Sequence, residues 1–412
     1  MIDFKKYTLE NGLRLLVHPD ASTPMVTVCL TYDVGSRDEN ADRTGFAHLF
    51  EHLMFGGSRH APNFDDYIQN AGGENNAMTN QDMTIYYDML PVENLEVALW
   101  LEADRMVNLN LTKKTLNKER KVVVEEFKET CIEEPYGDIW HHIGPLVYTK
   151  HPYSVPTIGK TFQHIEDASL DEVEAFYKKF YCPNNAILTI SGNIDPKDVY
   201  EKVTKWFESI PAGPKNDRLL PQETKQTARR ELLVEATVED PAIYLIFHAA
   251  ARLEPDYYLD EILSDILGDG DASLLFKKMV KELQIFSEAD AYITGTLDNG
   301  LFVLEGKLAE GHSFEEAEVA LWDILNQLKD KTLSEKDLQR QQNRIEHNLE
   351  FAEVTAFHKA ISLGFYELLG DANWINEEGN HYRSITVDAI QKRANAIFQP
   401  HLVSVIYYQP KN

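Results

Sequence analysis

Cysteine is scarce in this chain. The three residues present, Cys29, Cys131 and Cys182, are odd in number and far apart, which argues against a disulfide framework, leaves no C-x-x-C metal pair and fits a reducing compartment. Long apolar runs are missing as well. Nothing is apolar for long enough to span a bilayer, and the opening stretch MIDFKKYTLENGLRLLVHPD has no apolar core of signal-peptide length. The expectation is a cytoplasmic protein with no membrane partner, or a periplasmic one if a signal segment has been removed. Positive charge is the third shortage: 40 Lys and Arg stand against 67 Asp and Glu, a formal net charge of −27. A surface this acidic repels nucleic acid and anionic membrane and attracts cationic peptides, or else serves solubility alone.

What remains is ordinary globular material, 43% hydrophobic and 26% charged with no tract of extreme composition. A chain of 412 residues exceeds one ordinary core and fits two domains of about 200 residues each. Residues 7–18 alternate apolar and polar around Asn11-Gly12, a hairpin signal. A strand is expected over 25–36, a helix through GFAHLFEHLMFGG at 45–57, and a further strand in MTIYYDML at 83–90. Helices are expected over 92–106 and 116–129, followed by helix, strand and helix at 170–180, 186–192 and 196–208. The proline-containing stretch 211–230 reads as a connector, giving a domain at 1–212, a linker at 213–230 and a second domain at 231–412.

The second half repeats the first. EVALW occurs at Glu96 to Trp100 and again at Glu318 to Trp322, and the same offset pairs Leu111 with Leu333 and Leu116 with Leu338. It also sets Glu119 against Gln341 and Glu126 against Asn348, so carboxylates of the first half become amides in the second. The segment SLLFKKM, set beside HLFEHLM, has no histidine.

The chemistry concentrates in H-x-x-E-H, His48, Glu51 and His52. On a helix these are i, i+3 and i+4, which places two imidazoles and a carboxylate on one face. Zinc uses such a pair of neutral nitrogen ligands, and a nearby carboxylate outside the ligand set can accept a proton from water. A third protein ligand has to come from elsewhere. Glu119 and Glu126, seven residues apart in KERKVVVEEFKE, share a helical face about two turns apart. Glu126 is thereby a candidate ligand with Glu119 behind it as an orienting acceptor. The bland account is a solvated charged helix. A motif this short also arises by accident. Against that, burying these groups among Phe46, Leu49, Phe50 and Leu53 is costly without a partner, and a metal is one. His60, His141, His142 and His151 sit in polar or loop contexts and read as surface or supporting residues.

The chain resembles the inverted-zincin metallopeptidases of the pitrilysin, insulin-degrading enzyme and mitochondrial processing peptidase family, in which H-x-x-E-H is followed seventy-odd residues later by a glutamate. The likeness runs through VGSRDENADRTGFAHLFEHLMF, GGENNAMTNQDMTIYY, LEVALWLEADRM, ERKVVVEE, HPY at 151–153 and FYKKFYCPNNAILTISGNI, and the length suits a half-sized, bacterial-type two-domain subunit. The resemblance implies α+β domains, each an antiparallel-rich sheet with helices mainly on one face. It implies zinc held by His48, His52 and Glu126, with Glu51 as general base and Glu119 in support. It places Asn76 and Ala77 where an extended peptide substrate pairs with the backbone. Active members usually carry an arginine and a tyrosine seven residues apart in the second half, whereas alignment sets Val280 and Ser287 there. The resemblance therefore implies a dimer that encloses peptides in a chamber, with a related subunit supplying the Arg/Tyr pair. The alternative is a non-catalytic assembly or core subunit of the processing-peptidase type, which an intact motif disfavours.

Overall fold

The computed structural model describes residues 1–330 and 333–411. In chain order the elements begin with strands β1 (Lys5–Thr8), β2 (Arg14–Pro19) and β3 (Met25–Tyr32), helices α1 (Phe46–Leu53) and α2 (Phe64–Asn70), and strands β4 (Glu74–Thr79) and β5 (Thr84–Pro91). Helices α3 (Leu95–Asn108), α4 (Lys113–Lys128), α5 (Ile139–Val147), α6 (Phe162–Glu166) and α7 (Leu170–Phe180) follow, then β6 (Ala186–Gly192) and α8 (Pro196–Phe207). The second half runs β7 (Arg230–Ala236), β8 (Ala242–His248), α9 (Asp256–Gly268), β9 (Phe286–Ile293), β10 (Leu301–Leu308), α10 (Phe314–Lys329), α11 (Glu335–Ala352), α12 (Ala356–Leu369), α13 (Glu378–Arg383), α14 (Val387–Ile397) and β11 (Ser404–Pro410). The fold is α+β. No helix among the described residues is long and apolar enough to cross a membrane.

Two compact units form, and they interleave along the chain. Unit 1 comprises Met1–Ile132, Val155–Leu220 and Glu350–Glu377; unit 2 comprises Glu133–Ser154, Pro221–Leu349 and Glu378–Asn412. Each half of the sequence thus lends a helical segment to the other unit, which a contiguous division at 1–212 and 231–412 does not contain. The connector also divides, its first part packing with unit 1 and the rest with unit 2.

The sheet of unit 1 has the order β1-β2-β6-β3-β5-β4 and that of unit 2 the order β7-β11-β8-β10-β9. Both are antiparallel apart from one parallel pair, β2 with β6 and β7 with β11. Matching β2 to β7, β6 to β11, β3 to β8, β5 to β10 and β4 to β9 superimposes the two orders, so the duplication read from EVALW holds at the level of topology. The repeated pentapeptide lies in α3 and in α10. By element order, however, the counterpart of α1 is α9; SLLFKKM follows α9 and takes the place of α2. Aligning it with the motif helix is therefore corrected, although α9 likewise has no histidine.

The Asn11-Gly12 hairpin forms, with Gly12 at φ +87° and β1 paired antiparallel to β2. The strand expected over 25–36 ends at Tyr32, where residues Ser36–Asp38 turn instead. In unit 1 one sheet face carries the main core, from Leu15, Val28 and Leu188 to Phe50, Leu99 and Val203. The opposite face is covered by α12, which sets Leu363 against Leu16 and Ile187, and Ala360 against Cys29. In unit 2 the corresponding face is covered by α5, through Ile143 and Val147 against Tyr244, Val303 and Ile406.

Candidate metal centre

The site lies wholly in unit 1. Helix α1 buries Phe46, Ala47, Leu49, Phe50 and Leu53, and its three residues that are not fully buried are His48, Glu51 and His52. The amphipathic pattern alone presents the motif on one face, because the apolar positions consume the other. Helix α4 packs against α1 with Leu116, Val123, Val124 and Phe127 buried, and so brings Glu126 opposite the two imidazoles. Glu126 Oε1 stands 3.4 Å from His48 Nε2 and Oε2 stands 3.2 Å from His52 Nε2. One ligand atom from each of the three lies within 4.8 Å of the others, and no further group of this kind occurs among the described residues.

Electrostatics binds the trio. The His48 and His52 rings hold the Glu126 carboxyl well below the usual carboxylate range, against the opposing effect of partial burial. His52 experiences burial that disfavours its charge, yet Glu126, followed by Glu51 and Glu119, lifts its pKa above the ordinary value. Two imidazole nitrogens and one carboxylate, converging on a common point and lacking other partners there, form a donor set that fits zinc with a position left for water or substrate.

Glu119 is buried on the same helix, with Lys118 Nζ at 2.9 Å from Oε1, and its charge reaches His52. Glu125 instead faces solvent and pairs with Lys128, as one step round the helix requires. The histidines expected at the surface or in support stay out of the cluster: His60 pairs with Asp104, His142 with Asp138 and His151 with Asp298, while His141 lies on α5. Asn76 and Ala77 occupy β4, the edge strand of the sheet, where they oppose Tyr87 and Tyr86 of β5. The Ala77 amide donates to the Asn76 side-chain oxygen at 2.8 Å, so an edge donor is held by its own neighbour. Unpaired strand edges accept added strands.

Glu39 is the residue that motif reading missed. Its carboxylate accepts the amides of Gly45 and Ala47, each at 2.7 Å, at the start of α1. Burial pushes this carboxyl up to about 8, with the two amides pulling the other way. The only hint in the sequence was an acidic residue shortly before a helix that begins with glycine. At the positions aligned with the Arg/Tyr pair, Val280 packs half-buried against the core of unit 2, and Ser287 Oγ donates to the Lys307 carbonyl at 3.4 Å.

Similarity to known proteins extends over both halves of the chain. A family profile described as "Insulinase (Peptidase family M16)" matches residues 14–138, and one described as "Peptidase M16 inactive domain" matches residues 167–345. The chain is 26% identical over 418 aligned residues to the zinc protease PqqE of Helicobacter pylori, covering 98% of this chain and 92% of that protein. It is 23% identical to a probable mitochondrial-processing peptidase subunit beta of Arabidopsis thaliana, over 83% of this chain and 66% of that one. The crystal structure of a protease from Helicobacter pylori superimposes with a TM-score of 0.93 at 25% identity, covering 100% of both chains.

Proposed function

Because the chain belongs to peptidase family M16, we propose that it is a zinc metalloendopeptidase subunit in which His48, His52 and Glu126 hold the metal. The observation that carries this reading is the convergence of three donor atoms from two helices within 4.8 Å, with Glu51 on the same face of α1. Relatives named as zinc proteases support the choice of metal. Bound zinc supplies Lewis acidity, which makes water nucleophilic at neutral pH and polarises a peptide carbonyl.

The chain's own residues do the rest. Glu51 accepts the proton of the attacking water and returns it to the amine that leaves, a shuttle that one carboxylate performs when both positions lie within its reach. Glu119 adds negative charge behind His52, which keeps that imidazole basic and oriented. A peptide adding to the β4 edge displaces the Asn76 side chain from the Ala77 amide and takes its hydrogen bond, which fixes the extended backbone beside α1. Glu51→Gln tests the assignment. It should keep one zinc per chain and lose about 10²–10⁴-fold in peptide cleavage; cleavage within a few-fold of the unaltered chain overturns the role of Glu51.

The subunit acts as a dimer that encloses its peptide in a chamber, and its partner is a related chain. Val280 and Ser287 offer neither a cation nor a phenol to a tetrahedral oxyanion, so this reading assigns the Arg/Tyr pair to that partner. Mixing the chain with a homologous subunit that carries the pair should raise cleavage of an unfolded peptide well above the sum of the separate chains. No gain on mixing counts against the heterodimer. A mixture that remains without zinc-dependent cleavage favours a non-catalytic assembly role.

A further inference from the structure

The start of α1 lacks an ordinary cap. Gly45 holds the N-cap position at φ +87° and has no side chain to accept the first-turn amides, which an unaided helix leaves unpaired. Glu39 replaces that cap from outside the helix. Its two carboxylate oxygens each take one amide, Gly45 on Oε2 and Ala47 on Oε1. Ala47 directly precedes His48, so the position of the Glu39 carboxylate sets the position of the backbone from which the first imidazole projects.

Glu39 is itself held in place. It closes the Ser36–Asp38 turn by donating its amide to the Ser36 carbonyl at 3.3 Å. The turn is gripped by Arg218, whose Nε reaches Asp38 Oδ1 at 2.6 Å and whose Nη2 reaches Asp38 Oδ2 at 2.9 Å. The same Nη2 also donates to the Asp33 carbonyl at 3.0 Å. Such a bidentate guanidinium–carboxylate pair fixes direction as well as distance. Neighbouring residues of the connector are tied to unit 1 as well: Asn184 exchanges hydrogen bonds with Gly213, and Asn216 Nδ2 donates to the Asp33 carbonyl. Arg218 is the last charged residue before the chain leaves unit 1 after Leu220.

We propose that Glu39 is a positioning residue for the metal-bearing helix, and that Arg218 couples it through Asp38 to the connector that carries the chain out of unit 1. The proposal rests on the metallopeptidase reading for its kinetic consequence and on the hydrogen bonds alone for its geometric one. A displacement of about 1 Å at a reacting group costs on the order of 10²-fold in rate, so a cap that slips by a fraction of that is felt first in turnover. Tension along the connector reaches α1 by a path of three residues, all within one unit.

The test uses the full chain with zinc, and with cobalt in its place as a spectroscopic probe. Glu39→Gln should lower kcat about 10- to 100-fold with KM nearly unchanged, weaken zinc in competition with a chelator and shift the cobalt visible bands. Glu39→Asp, which keeps the carboxyl group but is one methylene short, should be intermediate. Arg218→Ala should produce the same pattern in weaker form, and Arg218→Lys should not restore it, because a point charge does not reproduce the fork. The double variant Glu39→Gln/Arg218→Ala should be no worse than Glu39→Gln alone, since both act on one path. Zinc affinity and cobalt bands equal to those of the unaltered chain in Glu39→Gln overturn the positioning role, and additive losses in the double variant overturn the coupling. Neither outcome depends on Glu51. If the zinc-loaded chain and its mixtures with a homologous subunit cleave no peptide while Glu39→Gln still shifts the cobalt bands, the function assigned to the site fails and the positioning role stands.

Discussion

Replacing Arg105 by Met removes the cation from a buried acidic pocket beneath the β4–β5 edge. Arg105 is 1% exposed and Glu102 is fully buried. Its Nε donates to Glu102 Oε2 at 2.8 Å and its Nη2 to Oε1. The guanidinium lies 4.5 Å from the ring centres of both Phe64 and Tyr86. Asp88 is buried beside them, and burial first, then the charge of Glu102, pushes its carboxyl well above the usual range. Met fills much of the space but leaves the Glu102 carboxylate without a counter-charge. Breaking a buried pair from one side costs about 3–5 kcal/mol, a range that includes the lost ring contacts. With a urea m value of about 3 kcal/mol/M for a unit of this size, the midpoint of the unit 1 transition should fall by about 1–1.7 M. Equilibrium unfolding of the zinc-loaded chain in urea measures it. Arg105→Lys should lose less, keeping charge but not the fork. A triple variant, Asp88→Leu with Glu102→Met and Arg105→Met, should recover most of the loss because no charge then remains to be desolvated. The reasoning is refuted if Arg105→Met costs under about 1 kcal/mol, or if the triple variant is no more stable than the single one. Tyr86 Oη donates to the Phe50 carbonyl of α1 at 3.2 Å, so zinc affinity should fall alongside stability.

Three further outcomes are expected. Gly364→Val places a Cβ 2.8 Å from Thr31 Oγ1 and 3.4 Å from Thr189 Oγ1, an overpacking worth about 1–3 kcal/mol, which differential scanning calorimetry should register as a lower transition temperature. Gly45→Ala combines φ +87° with a Cβ 2.8 Å from both the Ile158 carbonyl and Ile165 Cδ1. It should weaken zinc binding as well as stability, and a chelator titration unchanged from the unaltered chain would contradict that. Glu223 sits at about 2, its burial outweighed by the Thr149 hydroxyl and the amides of His151, Lys150 and Thr224. Its folded pKa is below the unfolded value, so it contributes stability that is complete above about 4.5 and disappears as pH falls toward about 2. The gap in thermal midpoint between Glu223→Gln and the unaltered chain should therefore be widest at neutral pH and close in acid; a gap that grows in acid would reverse the sign of the argument.

Much of this molecule was legible because its signals are local. Asn11-Gly12 specifies a hairpin by backbone preference alone, and the apolar positions of α1 leave one face for His48, Glu51 and His52. The seven-residue spacing of Glu119 and Glu126 holds within a single helix, where geometry is fixed by the period. EVALW marked the duplication because both copies bury the same helix face. What was not legible depends on partners distant in sequence. Leu363 and Ala360 read as an apolar helix face, but nothing local says that the face belongs to the first sheet rather than the second. Glu39 is a polar residue in a loop, and its role exists only because the chain folds back to bring Gly45 and Ala47 to it. The Glu102–Arg105 pair sits at ordinary helical spacing, where surface ion pairs are far commoner than buried ones. SLLFKKM was matched to the motif helix by its letters, while its true counterpart follows from element order.

The exchange of α5 and α12 bears on how the chain is made. The last strand of the first sheet, β6, ends at Gly192, but the helix that covers its second face begins only at Ala356. A chain emerging from the ribosome therefore presents Leu16, Cys29 and Ile187 uncovered until nearly the whole polypeptide has been synthesised. Exposed sheet surface of that kind is prone to aggregation during folding. Neither half, released alone, carries everything its own sheet needs. Cutting the gene at the connector should yield two fragments that become soluble when produced together and aggregate when produced apart.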